Sequence, residues 1–313
     1  MNMDWKAAAV TGLARRALEE DIGRGDVTVL ATVPAGAVGR ARILAREGMV
    51  VAGLPLVEMV FAGLDPGIRV EFLVGDGEFV EAGRDLARIS GKGRAILSGE
   101  RTALNFLSHL SGVATLTRRF VEKLAGTGAK IRDTRKTIPG LRMLEKYAVK
   151  MGGAVNHRIG LYDAILLKEN HIALAGGVKA SLDMAHAFAS LRAESASLSA
   201  YEAVGSAGVA EGGADSLLMV QIEVRDEREL REALGAGATA VLLDNMTVDE
   251  ARRCVEIVRG ANPACIVEIS GGITLGNARE YAETGADYLS AGMITHSARA
   301  ADLSLLVESI VEG

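Results

Sequence analysis

The chain has 313 residues, with 35 Lys and Arg against 40 Asp and Glu and a formal net charge of -5. That balance argues against a nucleic-acid binder, which carries a basic domain rather than one basic pocket. Apolar residues make up 49% and aromatics only 4%, so the core must be built from Ala, Val, Leu and Ile, and 37 Gly beside 5 Pro suit the many short turns of an α/β protein.

The amino terminus, M-N-M-D-W-K, has neither the charged start nor the apolar stretch of a secretory signal. No apolar run approaches the ~18 residues that cross a bilayer, and a cytoplasmic protein with no membrane partner is expected. Residues 5–20 show helical periodicity, with Leu13, Ala17 and Leu18 on one side, and 19–28 (E-E-D-I-G-R-G-D-V-T) read as a polar turn. From 40 to 96 the pattern changes to short alternating or β-branched runs (41–45, 68–74, 86–90) broken by Gly, with one helix at 55–62. A long helix follows from 96 through Gly112 to about 124.

From 129 onward the rhythm is strand, loop, helix. Strands are expected at 130–133, 164–167, 217–223, 240–244, 265–269 and 288–290. Helices are expected at 141–151, 179–191, 227–234, 248–258 and 275–284, with a last one at 301–311. Cys254 and Cys265 lack metal-ligand spacing and read as reduced core residues. Repeated βα units predict a parallel sheet, doubly wound or closed as a barrel. The barrel is favoured because Arg135, Lys168, Glu223, Asp244, Ser270 and Ser290 stand at the C-terminal ends of different strands, which in a barrel converge on one mouth. No G-x-G-x-x-G follows the first of these strands, as a Rossmann sheet would prefer. Residues 193–215 are small and loop-like and read as an insertion.

Arg132, Arg135, Lys136, His157 and Arg158 gather positive charge in an acidic chain. They follow a strand and a G-G-A-V-N turn rather than forming a helical stripe. Arg grips carboxylate or phosphate with two parallel bonds and Lys adds a point charge, so the set points to a dianion. Arg142, Lys146 and Lys150, at i, i+4 and i+8, read instead as a solvated helix face. Lys168, after its strand, suits either a Schiff base or a plain cation. Glu223 and Asp244 end consecutive strands, where they would suit Mg²⁺, ribose hydroxyls, acid–base work or pairing with nearby cations. Ser270-Gly271-Gly272 and Ser290-Ala291-Gly292 end the last two strands, at loops where barrels often hold a phosphate. Arg101 and Asn105, on the long helix, read as ordinary helical residues, and 295–297 as a structural turn.

A series of segments, in order and over nearly the whole chain, resembles the quinolinate phosphoribosyltransferases. They are L-E-E-D-I-G-R-G-D-V-T (18–28), G-E-R-T-A-L-N-F-L-S-H-L-S-G-V-A-T (99–115), D-T-R-K-T-I-P-G-L-R (133–142), K-Y-A-V-K-M-G-G-A-V-N-H-R (146–158), L-L-K-E-N-H-I (166–172), L-L-D-N-M (242–246), E-I-S-G-G-I (268–273) and A-G-M-I-T-H-S (291–297). The resemblance implies an α/β protein with an open (β/α) barrel domain at 116–300, preceded by an α+β sandwich domain at 1–115 on which a C-terminal helix, 301–313, would pack back. It implies transfer of phosphoribose from phosphoribosyl pyrophosphate to quinolinate with loss of CO₂, a step of NAD synthesis that uses Mg²⁺, in a homodimer or larger homo-oligomer. By motif, Arg135, His157, Arg158 and Lys168 would hold quinolinate, with Lys136 close by for quinolinate or pyrophosphate and Arg101 reaching in from a second subunit. Glu223 and Asp244 would meet the ribose hydroxyls and Mg²⁺, and Ser270, Gly271, Gly272, Ser290, Ala291 and Gly292 the 5′-phosphate. One departure is Gln221-Ile222-Glu223-Val224, where the family often has Glu-Val-Glu-Val; Glu223 keeps its spacing to Asp244. Three rivals stay open: a related transferase acting on nicotinate, a Lys168 aldolase, and a carrier domain suggested by G-D-G-E-F-V-E-A-G-R-D-L, which lacks the modified Met-Lys-Met.

Overall fold

Residues 3–202 and 218–311 are described by the computed structural model. The chain forms two compact units: Met1–Val121 with Lys136–Asn156 and Gly292–Gly313, and Glu122–Arg135 with His157–Ala291. The boundary expected after residue 115 therefore falls inside one continuous helix, α4 (Gly93–Lys123).

In the first unit, α1 (Ala8–Ile22) buries Val10, Ala14 and Leu18, one residue per turn along a single stripe. The polar segment after it is not a plain turn. Asp26 accepts a hydrogen bond from the Val29 N–H at 2.9 Å and starts a second helix, α2 (Val27–Thr32). A four-stranded antiparallel sheet follows, built from β1 (Val38–Ala45), β3 (Arg69–Phe72), β5 (Asp85–Lys92) and β12 (Leu303–Val311), in the order β12-β1-β5-β3, while β2 (Met49–Val50) and β4 (Phe79–Val80) pair antiparallel with each other. One apolar cluster joins the sheet residues Ile43, Leu86 and Ile89 to Leu54, Val57 and Phe61 of α3 (Leu54–Leu64) and to Ile96 and Leu107 of α4. Gly112 lets α4 approach a neighbouring backbone, since a Cβ there would stand 2.1 Å from the Arg299 carbonyl oxygen.

Two further expectations fail in this unit. The C-terminal segment returns to the sheet as β12, not as a helix, pairing antiparallel with β1. Leu303 and Leu305 fall two apart on the core side, and the edge of β1 offers hydrogen bonds along its length, so period two wins over helix propensity. On α5 (Arg142–Met151), Lys146 is fully buried rather than solvated, and Arg142 and Lys150 are half-buried.

Among the described residues the second unit holds six parallel strands: β6 (Lys130–Arg132), β7 (Ile165–Leu167), β8 (Val220–Val224), β9 (Ala240–Asp244), β10 (Ile266–Ser270) and β11 (Tyr288–Ser290). Their order is β6-β11-β10-β9-β8-β7. The last strand lies beside the first, so the sheet must curl on itself. Among the described residues β6 and β7 do not pair, which leaves the barrel open. The crossovers carry α6 (Glu169–Ala175), α7 (Val178–Glu202), α8 (Glu227–Gly235), α9 (Val248–Ala261) and α10 (Ala278–Ala282). Helix α7 runs on to Glu202, so 193–202 is helical and not a loop; its Ala, Leu and Glu extend a helix already nucleated. The rest of the expected insertion, 203–215, lies outside the described residues.

Candidate active site

Strand register decides which side chains meet. In a parallel sheet paired residues share a face. Glu223 pairs with Leu242, Leu242 with Glu268, Glu268 with Tyr288, and Ser290 with Arg132. Stepping by two places Gln221, Glu223, Asp244, Glu268, Ser270, Ser290 and Arg132 on one face. Val220, Ile222, Val224, Val241, Leu243, Val267 and Ile269 take the other face and are buried. The barrel interior thus carries most of the polar strand residues beside Leu166, Leu242 and Tyr288, and its outside is apolar.

The deeper part of that interior is a hydrogen-bonded network, in which Arg132 Nε and Gln221 Oε1 are buried without a partner. Arg132 donates from Nη1 to Glu268 Oε2 at 2.9 Å, and its guanidinium stacks on the Tyr288 ring, 3.4 Å from the centroid. Gln221 Nε2 donates to the same oxygen at 3.0 Å, and the Ser290 hydroxyl donates to Glu268 Oε1. His157 Nε2 lies 3.5 Å from Glu268 Oε1. The Ala291 N–H donates to the Arg132 carbonyl at 3.1 Å, tying β11 to β6 beyond the ladder.

Lys168, exposed at the end of β7, forms an ion pair with Glu223, which is buried. The Lys168 N–H donates to His171 Nδ1 at 3.0 Å. Asp244 is half-buried and accepts from the Asn245 side-chain amide at 2.7 Å. Asn245 has a left-handed backbone, φ 55°, and its N–H donates to the Ser270 carbonyl at 2.9 Å. Gly271, at φ 94°, accommodates it; a Cβ there would come within 2.2 Å of Asn245 Oδ1. These turns lock the end of β9 to the end of β10.

Arg135 and Arg158 also keep unused donors. Arg158 donates from Nη1 to the Ala164 carbonyl at 3.1 Å, but its Nε is buried with no partner, and so is the Nε of Arg135. Burial, and next the charge of Arg135, pull the Arg158 guanidinium below its ordinary pKa. Two like charges held together with unused donors suit an anion placed between them.

The structure thus brings Arg135, His157, Arg158, Lys168, Glu223, Asp244, Ser270, Gly271, Gly272, Ser290 and Ala291 into one unit. Lys136, Gly292 and Arg101 belong to the other, where the Lys136 carbonyl accepts from the Thr295 hydroxyl at 2.8 Å and Arg101 is exposed on α4. Asp133 and Glu268, both fully buried, took no part in the expectations from sequence. The signal for Glu268 was a carboxylate at an alternating position inside the apolar run I-V-E-I-S.

Residues 113–219 and 199–306 match the family described as "Quinolinate phosphoribosyl transferase, C-terminal domain", and 26–111 match the corresponding N-terminal domain. The chain belongs to the quinolinate phosphoribosyl transferase family. It is 40% identical, over 97% of its length and 99% of the relative's, to a nicotinate-nucleotide pyrophosphorylase [carboxylating] of Mycobacterium leprae. It is 36% identical to a chloroplastic protein of the same name from Oryza sativa subsp. japonica, covering 94% of this chain and 76% of that one. Among solved structures, the nicotinate-nucleotide pyrophosphorylase from Francisella tularensis superposes with a TM-score of 0.81 at 36% identity, over 96% of both chains. NadC from Streptococcus pyogenes gives 0.84 at 32% identity, over 99% of both. The sandwich sheet and open barrel are therefore those of the quinolinate phosphoribosyl transferase family, and the segments 133–142 and 146–158 that carried the resemblance contain Arg135 and Arg158.

Proposed function

We propose that this chain transfers phosphoribose from phosphoribosyl pyrophosphate to quinolinate and releases nicotinate mononucleotide, pyrophosphate and CO₂, a step of NAD synthesis. The observation that carries the reading is the Arg135–Arg158 pair, in which each guanidinium keeps a buried, unpartnered Nε. A pyridine with two adjacent carboxylates answers both. Lys168 would add a third cation, and Arg101 of a second copy of the chain a fourth, in a homodimer or larger assembly. Lys136, next in the chain to Arg135, would serve the pyrophosphate or quinolinate. The 5′-phosphate would rest at the 270–272 and 290–292 loops. Because the Ser290 hydroxyl is committed to Glu268, Ser270 and the glycines are the better phosphate donors.

The donor set fits Mg²⁺ in part. Lys168 engages Oε2 of Glu223 and the Asn245 amide engages Oδ2 of Asp244, leaving Oε1 and Oδ1 for other ligands. Among the described residues no group of three or more His, Cys, Asp or Glu could hold a metal. Two carboxylates, completed by phosphate oxygens and water, is a usual Mg²⁺ arrangement. When bound, the ion would neutralise charge on the departing pyrophosphate.

The rest falls to the chain. The cations orient quinolinate so that its ring nitrogen faces C1 of the ribose. The N–C1 bond forms as the C1–O bond to pyrophosphate breaks, and Glu223 is placed to stabilise positive charge that develops on the sugar. The quaternised ring then takes the electron pair of the breaking C2–carboxylate bond, CO₂ leaves, and C2 gains a proton. No helix among the described residues is long and apolar enough to cross a membrane. We place the reaction in the cytoplasm, where the unpaired thiols of Cys254 and Cys265 would stay reduced. The test is to mix the protein with quinolinate, phosphoribosyl pyrophosphate and Mg²⁺. Evolved CO₂ and the mononucleotide are expected. Turnover of nicotinate but not quinolinate would overturn the reading.

A further inference from the structure

Glu268 lies on β10 with 0% exposure, below the groups that would touch substrate. Three side chains donate to it, Arg132 and Gln221 at Oε2 and Ser290 at Oε1, and His157 Nε2 stands 3.5 Å from Oε1, within reach of a fourth donation. An ionised carboxylate accepts at both oxygens and can satisfy all four. The second nitrogen of His157 is also in use, since Nδ1 accepts the Arg158 backbone N–H at 2.7 Å. A neutral imidazole carries one proton, so an accepting Nδ1 puts it on Nε2, facing Glu268. The backbone N–H of His157 is held as well, by the buried Asp133 at 2.8 Å. Both ring nitrogens of His157 are thus directed at the chain itself, although the family resemblance would have the ring hold substrate.

Arg158 needs such a hold. Its guanidinium stands near Arg135, whose charge opposes it, and mutual repulsion would drive both toward water. We propose that Glu268 is a positioning residue: it fixes His157 as the Nε2–H tautomer, and through Nδ1 this sets the backbone of Arg158, so that the two arginines form a receptor ready for a dicarboxylate. The identity of that dicarboxylate rests on the proposed function; the tautomer does not.

Glu268→Gln separates the partners by their chemistry. The new amide can put its NH₂ toward Arg132 and Gln221, or toward Ser290 and His157. Arg132 and the Gln221 amide nitrogen are donors only, whereas a hydroxyl and an imidazole can reverse. The variant is therefore expected to turn its NH₂ to Ser290 and His157 and move the His157 proton to Nδ1, which then opposes the Arg158 N–H. The readout is the pair of ring nitrogen shifts of His157 in the full-length ¹⁵N-labelled protein, assigned among five histidines by loss of signal in His157→Asn.

The wild type should show Nε2–H, and Glu268→Gln should show Nδ1–H. Quinolinate affinity, measured by calorimetry, should fall about tenfold in Glu268→Gln, equivalent to about 1.4 kcal/mol. A second pair keeps the test open should that variant misfold. Asn at 157 keeps an acceptor where Nδ1 stood and Gln does not, so His157→Gln should bind quinolinate about tenfold more weakly than His157→Asn. A wild-type Nδ1–H tautomer, an unmoved proton in Glu268→Gln, or equal losses in the two His157 variants would overturn the proposal. If the wild type bound no quinolinate, the proposed function would fall and the tautomer comparison would still decide this one.

Discussion

Arg135→Met asks whether the cation pair exists for a ligand or for the fold. Methionine keeps the apolar stem and removes the guanidinium. In the free protein that deletion takes away a buried Nε without a partner and a charge that opposes Arg158. A buried unmet donor costs about 1–3 kcal/mol, and because Arg135 is only half-buried the relief should sit near the low end, about 1 kcal/mol. For a chain of this size that raises Tm by roughly 2 °C. The same deletion removes a charge-assisted contact to substrate worth about 2–4 kcal/mol, so kcat/KM for quinolinate should fall by about 30- to 1000-fold. Steady-state CO₂ release and thermal unfolding on one preparation measure both. A variant that keeps activity within about threefold, or whose Tm drops by roughly 5 °C, would show that Arg135 is a strut and not a receptor.

Glu223→Ala should lower kcat more than it weakens quinolinate binding, because the carboxylate acts on the sugar; an unchanged kcat would remove it from the transition state. Gly112→Ala places a methyl 2.1 Å from the Arg299 carbonyl oxygen and 3.2 Å from Ala300 Cα, and unfolding free energy should drop by about 2–3 kcal/mol; a wild-type Tm would contradict that close approach. Burial raises Asp76 above its ordinary value of 3.8, outweighing hydrogen bonds from the Gly53 N–H, the Tyr147 hydroxyl and the Leu54 N–H. A raised folded pKa means that the contribution is complete below 3.8 and is lost as pH rises through the folded value. The stability of the wild type relative to Asp76→Asn, from chemical denaturation, should therefore decline as pH rises from 3.8 through the raised folded value, and a rise over that window would refute the burial argument.

Much of the barrel was legible because its strands are short apolar runs separated by amphipathic stretches, and because polar residues recur at their ends. β9 and β11 fall on the expected residues, 240–244 and 288–290. What sequence hid was the use of polar residues inside apolar runs. Glu268 and Gln221 look like interruptions until register places them on the same barrel face as Arg132 and Ser290. Arg132 drew notice as one more cation, yet it is spent on Glu268 and Tyr288. Lys146 fitted a solvated stripe by spacing, which cannot report that the helix is covered on that side as well. The last segment, L-S-L-L-V-E-S-I-V, is apolar enough for either period, and only the waiting edge of β1 decides for a strand.

That closing strand has a bearing on biosynthesis. β1 spans 38–45, and its partner on one side is not made until residues 303–311 leave the ribosome. The sandwich sheet can therefore reach its final width only after the barrel has been synthesised, and such far-apart pairings are slow to form. An excised 1–121 fragment would bare an unpaired strand and tend to aggregate, so the first module has to be prepared with its distant tail attached.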